Sequence, residues 1–229
     1  MPKAEFDAVA AQYKAQHAAS IRLSGEDTGY FAQYKAEDAR AIAAEAGCAP
    51  RDMLDFGSGI GNSVAPLRQC FPQAQLTCLD VSAESLALSR EGHGEDVRYR
   101  SYDGRQLPDD LGEFDLIFTA CVFHHIPAEQ HIDLLRQLKR QLRPGGLFIL
   151  FEHNPWNPLT RHAVNTCPFD ENAVLITAPE MRRRLQAAGF ADCTVRYRIF
   201  FPGALAALRP LERHMTGLPL GAQYSLSAR

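Results

Sequence analysis

MLDFGSGIGNS, residues Met53 to Ser63, runs from an apolar strand pattern into three alternating glycines, Gly57, Gly59 and Gly61. Glycines after a strand let backbone N–H groups approach a ligand closely. A phosphate-cradling P-loop requires a lysine directly after its last glycine, and Gly61 is followed by Asn62. A dinucleotide loop requires G-x-G-x-x-G. Counted from Gly57 the third glycine falls on Asn62, and counted from Gly59 it falls on Val64. Asp55, two residues before the first glycine, would repel a pyrophosphate at close range. It suits a ligand that carries positive charge.

Outward from this loop the chain alternates strands and helices. DMLDFG, QLTCLDV, DVRYRSY, FDLIFTA and GLFILFE read as strands; VAPLRQCF, AESLALSRE and AEQHIDLLRQLKRQL read as helices. Such alternation predicts an α/β domain with a parallel sheet covered on both faces. Residues 1–46 read as helices, a cap before a domain spanning 47–229. In LRPGG, Arg143 and Pro144 stop a helix and Gly145-Gly146 turn the chain into a buried strand. Residues 153–178 lack a clear period and read as a long loop insertion of the kind that carries function. PEMRRRLQAAGF is a helix, CTVRYRIFF a strand, 202–219 a helical insert and GAQYSLSAR a last strand.

Composition sets outer bounds. The 229 residues are 46% hydrophobic, with a formal net charge of −3, as in ordinary soluble domains. Nothing in that charge points to nucleic acid or an anionic membrane. The run Arg182-Arg183-Arg184 reads as a solvated helix face. The alanine-rich N-terminus argues against a secretory signal, and no run approaches the roughly 18 apolar residues of a membrane span. Six cysteines without a C-x-x-C pair read as reduced thiols in a cytoplasmic protein. His153, His162 and Cys167 fit no zinc spacing, so no metal is expected from them. His17, His93, His131 and His214 sit in contexts that read as exposed.

Two further acids follow the loop. Asp80 ends QLTCLD about 20 residues on, where a carboxylate can accept from two ribose hydroxyls. Asp103, in Tyr102-Asp103-Gly104 after the third strand, can accept from an adenine amino group. All lie at carboxyl ends of parallel strands, where open α/β sheets bind ligands. With LDFGSGIGNS, CLDVS, YDGRQLP, FDLIFTACVFHHIP and LKRQLRPGGLFILFE in this order, the chain resembles a class I S-adenosylmethionine-dependent methyltransferase of the small-molecule, bacterial type. The resemblance covers about residues 50–152. It implies a Rossmann-like doubly wound seven-stranded sheet, last strand antiparallel, with an N-terminal helical cap. It also implies S-adenosylmethionine as cofactor and S-adenosylhomocysteine as product. The family's contacts fall on Asp55, Gly57, Ser58 and Gly59 at the methionine end and on Asp80 and Val81 at the ribose and adenine. Asp103 and Gly104 match the adenine contacts, and Thr119 and Ala120 face the methionyl part.

In-line methyl transfer draws on positioning, which can lower a barrier by roughly 7–11 kcal/mol. No acid or base is obligatory, and a base helps when the acceptor is a hydroxyl. The candidates are His125, His153 and Glu152, all at the ligand-binding edge, with Glu152 equally suited to anchoring a loop. His124, Asn154, Trp156, Arg161 and Phe169 are candidates for the acceptor site, with Arg161 suited to an acidic group. Tyr13 and Tyr30, on the N-terminal helices, are candidates to cover a sulfonium by a cation–π contact. The expected partner is a small molecule or a glycan or lipid precursor, methylated at oxygen, with no nucleic acid. Rival readings keep the cofactor for cyclisation or elimination, or make the chain a silent binding subunit or a nicotinamide-dependent dehydrogenase. The sequence assigns no oligomeric state.

Overall fold

The structure is a computed structural model and describes residues 28–167, 170 and 172–229. Tyr13, His17, Phe169 and the first expected helix lie outside the described residues. One seven-stranded sheet carries the chain, in the order β3-β2-β1-β4-β5-β7-β6. The strands are β1 Asp52–Phe56, β2 Gln75–Asp80, β3 Arg98–Ser101, β4 Phe114–Ala120, β5 Leu142–His153, β6 Thr194–Arg198 and β7 Gln223–Ala228. β1 to β5 pair in parallel, and β7 runs antiparallel between β5 and β6. This is the doubly wound α/β architecture expected, with the last strand reversed.

Alternation along the strands divides the core. Leu54, Phe56, Ile117, Phe148 and Leu150 pack on one face, against helices α4 (His131–Arg140) and α6 (Ala178–Ala187). Met53, Leu116, Phe118, Leu147, Ile149 and Phe151 pack on the other, against α1 (Thr28–Glu45), α2 (Val64–Cys70) and α3 (Ala83–His93). Both sets are buried to within a few per cent. A strand buried on both faces must be apolar at every position, which is why GLFILFE shows no alternation.

Helix α1 is fastened to the far edge of the sheet. Asp38 receives two hydrogen bonds from Arg198 of β6, at 2.7 and 2.6 Å. The Tyr34 hydroxyl donates to Gln223 of β7, and Arg196 pairs with Glu45. LRPGG lies at the opposite end of the strands from the glycine loop. Arg143 pairs there with Asp52 at 2.9 Å and Asp115 at 3.0 Å. Between Leu142 and Leu147 the chain loops out of register with β4 rather than making a clean turn.

Three local expectations change. Residues 158–165 form a short helix, α5 (Pro158–Asn165), inside the stretch read as a loop. Asn157 caps it by accepting from the Thr160 N–H, and proline stands in its first turn, where no N–H is needed. The insert winds as a 3-10 segment, Gly203–His214, with Pro210 inside it. His131, read as exposed, is buried: one ring nitrogen meets the Ile126 carbonyl at 2.9 Å and the other the Arg184 guanidinium at 2.6 Å. Arg184 is thereby drawn inward from the basic run, while Arg182 and Arg183 stay exposed. Among the described residues no helix is long and apolar enough to cross a membrane.

Candidate functional site

Sheet order reverses between β1 and β4, and a crevice at the carboxyl ends of these strands is where such sheets bind ligands. Phe56 of β1 is in register with Leu79 of β2 and Thr119 of β4. The sheet therefore brings Gly57, Asp80 and Ala120 to one edge. Gly57, Gly59 and Gly61 all have positive φ, 76°, 52° and 84°, a region costly for any side chain. A Cβ on Gly57 would lie 2.3 Å from Cγ2 of Val122, in the turn after β4. Gly57→Ala is expected to cost about 1–2 kcal/mol from the left-handed backbone alone, with the clash added. Thermal melting checks this, and an unchanged melting temperature would show that the turn yields.

Asp80 ties the loop to the next strand. Its carboxylate accepts from the Gly59 N–H at 2.8 Å and the Ser82 N–H at 2.9 Å. Ser82 in turn caps α3, its hydroxyl accepting from the Ser85 N–H. An ionised carboxylate offers about four acceptor positions. Asp103 accepts from the N–H groups of Gln106 and Arg105, which hold its exposed carboxyl below the usual range. Gly104 lies against Val81, where an added Cβ would sit 3.6 Å from Cγ1.

Asp55 is 2% exposed. Burial, and secondarily the charge on Asp80, push its carboxyl up to about 7. Its Oδ2 has no hydrogen-bond partner among the described residues, and neither has the hydroxyl of Thr119 at the end of β4. Buried polar atoms are nearly always paired, so an orphaned carboxylate oxygen at a sheet's ligand edge is a place for a bound donor. Ser58, at the same edge, is 9% exposed.

Beyond β4 the chain bends through Cys121, a non-glycine residue at φ 60°. Two elements meet its thiol. Lys35 of α1 donates from Nζ at 3.2 Å, and His153, at the end of β5, hydrogen-bonds it. Burial works against ionisation here, but these two partners outweigh it and bring the thiol down to about 6. Neither Lys35 nor Cys121 stood out in the sequence. They lie 86 residues apart, and a helix-face lysine and a strand-end cysteine carry no common pattern.

The His-His turn hangs from Glu152. Its Oε1 accepts from the N–H groups of Val122 (3.1 Å) and Phe123 (2.8 Å), and its Oε2 meets Nδ1 of His124 at 2.6 Å. Both side chains are 1% exposed. Burial opposes ionisation of each, yet each lifts the other's charged form: His124 rises to about 10 and Glu152 falls to about 2. A carboxylate committed to three donors at this depth anchors the turn; it is not placed to take a proton from an acceptor. His125 is pushed down to about 3 by burial and by His124, so its ring is neutral. The His153 ring lies tilted beside that of His124, their centres 5.2 Å apart.

The remaining acceptor candidates separate. Asn154 is fully buried, donating to the carbonyls of Pro219 and Gly221 and accepting from the Trp156 N–H. Its polar atoms are spent on backbone. Trp156 is half exposed and stacks on Tyr197, centroids 6.5 Å apart. Arg161 is exposed on α5. The Tyr30 ring faces the Arg209 guanidinium at 4.7 Å, so its cation–π contact ties α1 to the 3-10 segment.

Comparison with known proteins places this edge in context. A family described as "Methyltransferase domain" matches residues 53–146. The trans-aconitate 2-methyltransferase of Deinococcus radiodurans is 36% identical over 95 residues, 42% of this chain and 35% of that protein. The ribosomal RNA small subunit methyltransferase C of Pseudomonas entomophila is 33% identical over 123 residues, 50% of this chain and 36% of that protein. The chain thus spans about a third of the length of these relatives. A solved structure described as "DhpI-SAH complex structure" matches in fold over 100% of this chain and 94% of that one, at a TM-score of 0.66 and 18% identity.

Proposed function

We infer that this chain, whose residues 53–146 match a methyltransferase domain, is a class I S-adenosylmethionine-dependent methyltransferase that transfers a methyl group from S-adenosylmethionine to an oxygen of a small or medium-sized acceptor. The observation that carries the reading is Asp55. A buried carboxylate with an unpartnered oxygen beside three left-handed glycines fits a cationic, phosphate-free ligand. Bound at this edge, S-adenosylmethionine would supply the electrophilic methyl group.

The chain's own residues do the rest. Gly57, Ser58 and Gly59 bring backbone against the methionyl end, and Asp55 and Thr119 offer its amino group acceptors. Asp80 with Val81 holds the ribose and flanks the adenine, and Asp103 with Gly104 closes the far side. Positioning the acceptor in line is the larger part of the work. His153 takes the acceptor's proton, and Glu152 holds the turn against which the acceptor rests. Trp156 and Arg161 form the outer rim, and residues 153–178 serve as the substrate segment. A formal net charge of −3 favours a small acceptor over a nucleic acid, while the relatives named above include both a trans-aconitate and a ribosomal RNA methyltransferase.

Calorimetric titration with S-adenosylmethionine, S-adenosylhomocysteine and NADH tests the reading. Binding of the first two and not the third is expected; tight NADH binding alone would overturn it. Asp80→Ala is expected to weaken binding by about 1.5–3 kcal/mol, the scale of hydrogen bonds to a charged group. That is roughly ten- to hundredfold in Kd. An unchanged affinity would remove Asp80 from the ribose.

A further inference from the structure

We propose that His124, His125 and Asp170 form a binding site for a divalent transition-metal ion of the zinc type. Nε2 of His124 and Nε2 of His125 each lie 3.5 Å from the same oxygen, Oδ1 of Asp170. The three ligand atoms all fall within 4.8 Å of one another. Zinc binds imidazole nitrogen and carboxylate oxygen at about 2.0–2.2 Å in tetrahedral geometry. Two such ligands on a tetrahedron stand about 3.3–3.5 Å apart, against about 3 Å at the right angles of an octahedron. The two histidine–aspartate separations match the tetrahedral edge.

Donor and acceptor logic leads to the same place. Glu152 accepts from two backbone N–H groups and faces Nδ1 of His124 at 2.6 Å. That contact puts the ring proton on Nδ1. Nε2 of His124 is thereby the nitrogen turned to Asp170, where a metal ion would take the place of the ring's second proton. A carboxylate–imidazole–metal relay is the usual way that a metal-bound histidine is oriented. Val174, four residues after Asp170, donates its N–H to the His124 carbonyl at 2.9 Å. Two histidines and one carboxylate leave coordination positions for an oxygen ligand. The rival occupant is a proton, which makes His124 an imidazolium between two carboxylates.

The site stands on its own geometry and not on the methyl-transfer reading, so its test reads metal rather than turnover. Chelator-treated full-length protein is titrated with Zn²⁺ by calorimetry and with Co²⁺ by visible absorption. One equivalent of each is expected to bind, with the intense visible bands of tetrahedral Co²⁺. His125→Ala and the isosteric Asp170→Asn are each expected to abolish the bands. Glu152→Gln, which touches no metal, is expected to weaken binding about 10- to 100-fold. Absence of saturable binding would overturn the site. So would bands that survive both ligand variants, which would move the ion to the cysteines, or the pale spectrum of octahedral Co²⁺. Thermal melts establish that the variants are folded. Should His125→Ala unfold, Asp170→Asn decides alone.

Discussion

Glu152→Ala is expected to destabilise the protein by about 3–5 kcal/mol, the cost of breaking a buried ion pair from one side. The carboxylate meets three donors at once, from Val122, Phe123 and His124. Its removal leaves two buried backbone N–H groups and an imidazole without their acceptor, each costing about 1–3 kcal/mol where water does not enter. For a chain of this size the loss amounts to roughly 10 °C in melting temperature. Glu152→Gln separates the parts. The amide oxygen still accepts from the backbone pair but cannot balance a charge on His124, so an intermediate loss is expected. If Glu152→Ala melts within a degree or two of the parent, the turn is held by its own packing and the anchoring role falls.

The second large effect is on pH. Asp55 holds its proton up to about 7, because burial, and then Asp80, disfavour the carboxylate. An unfolded aspartate titrates near 4. The folded state therefore binds this proton more tightly, and the stability it contributes is complete below about pH 4. That contribution is lost as pH rises through about 7. The full span is worth roughly 4 kcal/mol. Denaturant melts of the ligand-free protein from pH 4 to 8 should show the fall. Asp55→Asn should flatten it and leave the variant more stable than the parent at neutral pH. A ligand with a positive group beside Asp55 reverses the sense. Its affinity should rise with pH up to about 7 and level off above, with proton release visible as buffer-dependent heats. Parallel pH profiles for the parent and Asp55→Asn would mean that Asp55 does not titrate in this range.

Much of the architecture was legible because it rests on short-range pattern. The strands are apolar runs bounded by glycine or polar turns, and Asp55, Asp80 and Asp103 stand at or just beyond strand ends that the pattern locates. What escaped depends on contacts that no spacing encodes. His131 stands between Gln130 and Ile132 with no pattern that marks it as buried, and only tertiary packing sets it between Ile126 and Arg184. Helix α5 is too short, and too close to prolines, to show a period. Glu152 and the turn it anchors lie 28 residues apart, brought together because β4 and β5 are neighbours. Tyr30 presented an aromatic face whose occupant, Arg209, comes from the 3-10 segment. Asn154 read as a polar group at a ligand edge, and its burial is visible only once Pro219 and Gly221 fold over it.

The fit of Gly57 against Val122 has a consequence for how this site varies between sequences. Position 57 is constrained twice, by a backbone angle of 76° and by the valine methyls that fill the space of a side chain. Position 122 is constrained once, by space alone. A drift toward new acceptors therefore has only one of the two positions to work through. Shrinking Val122 opens a pocket directly beside the glycine loop without touching it, whereas no change at 57 is open whatever stands opposite. Selectivity can be retuned at the second strand end while the first stays frozen.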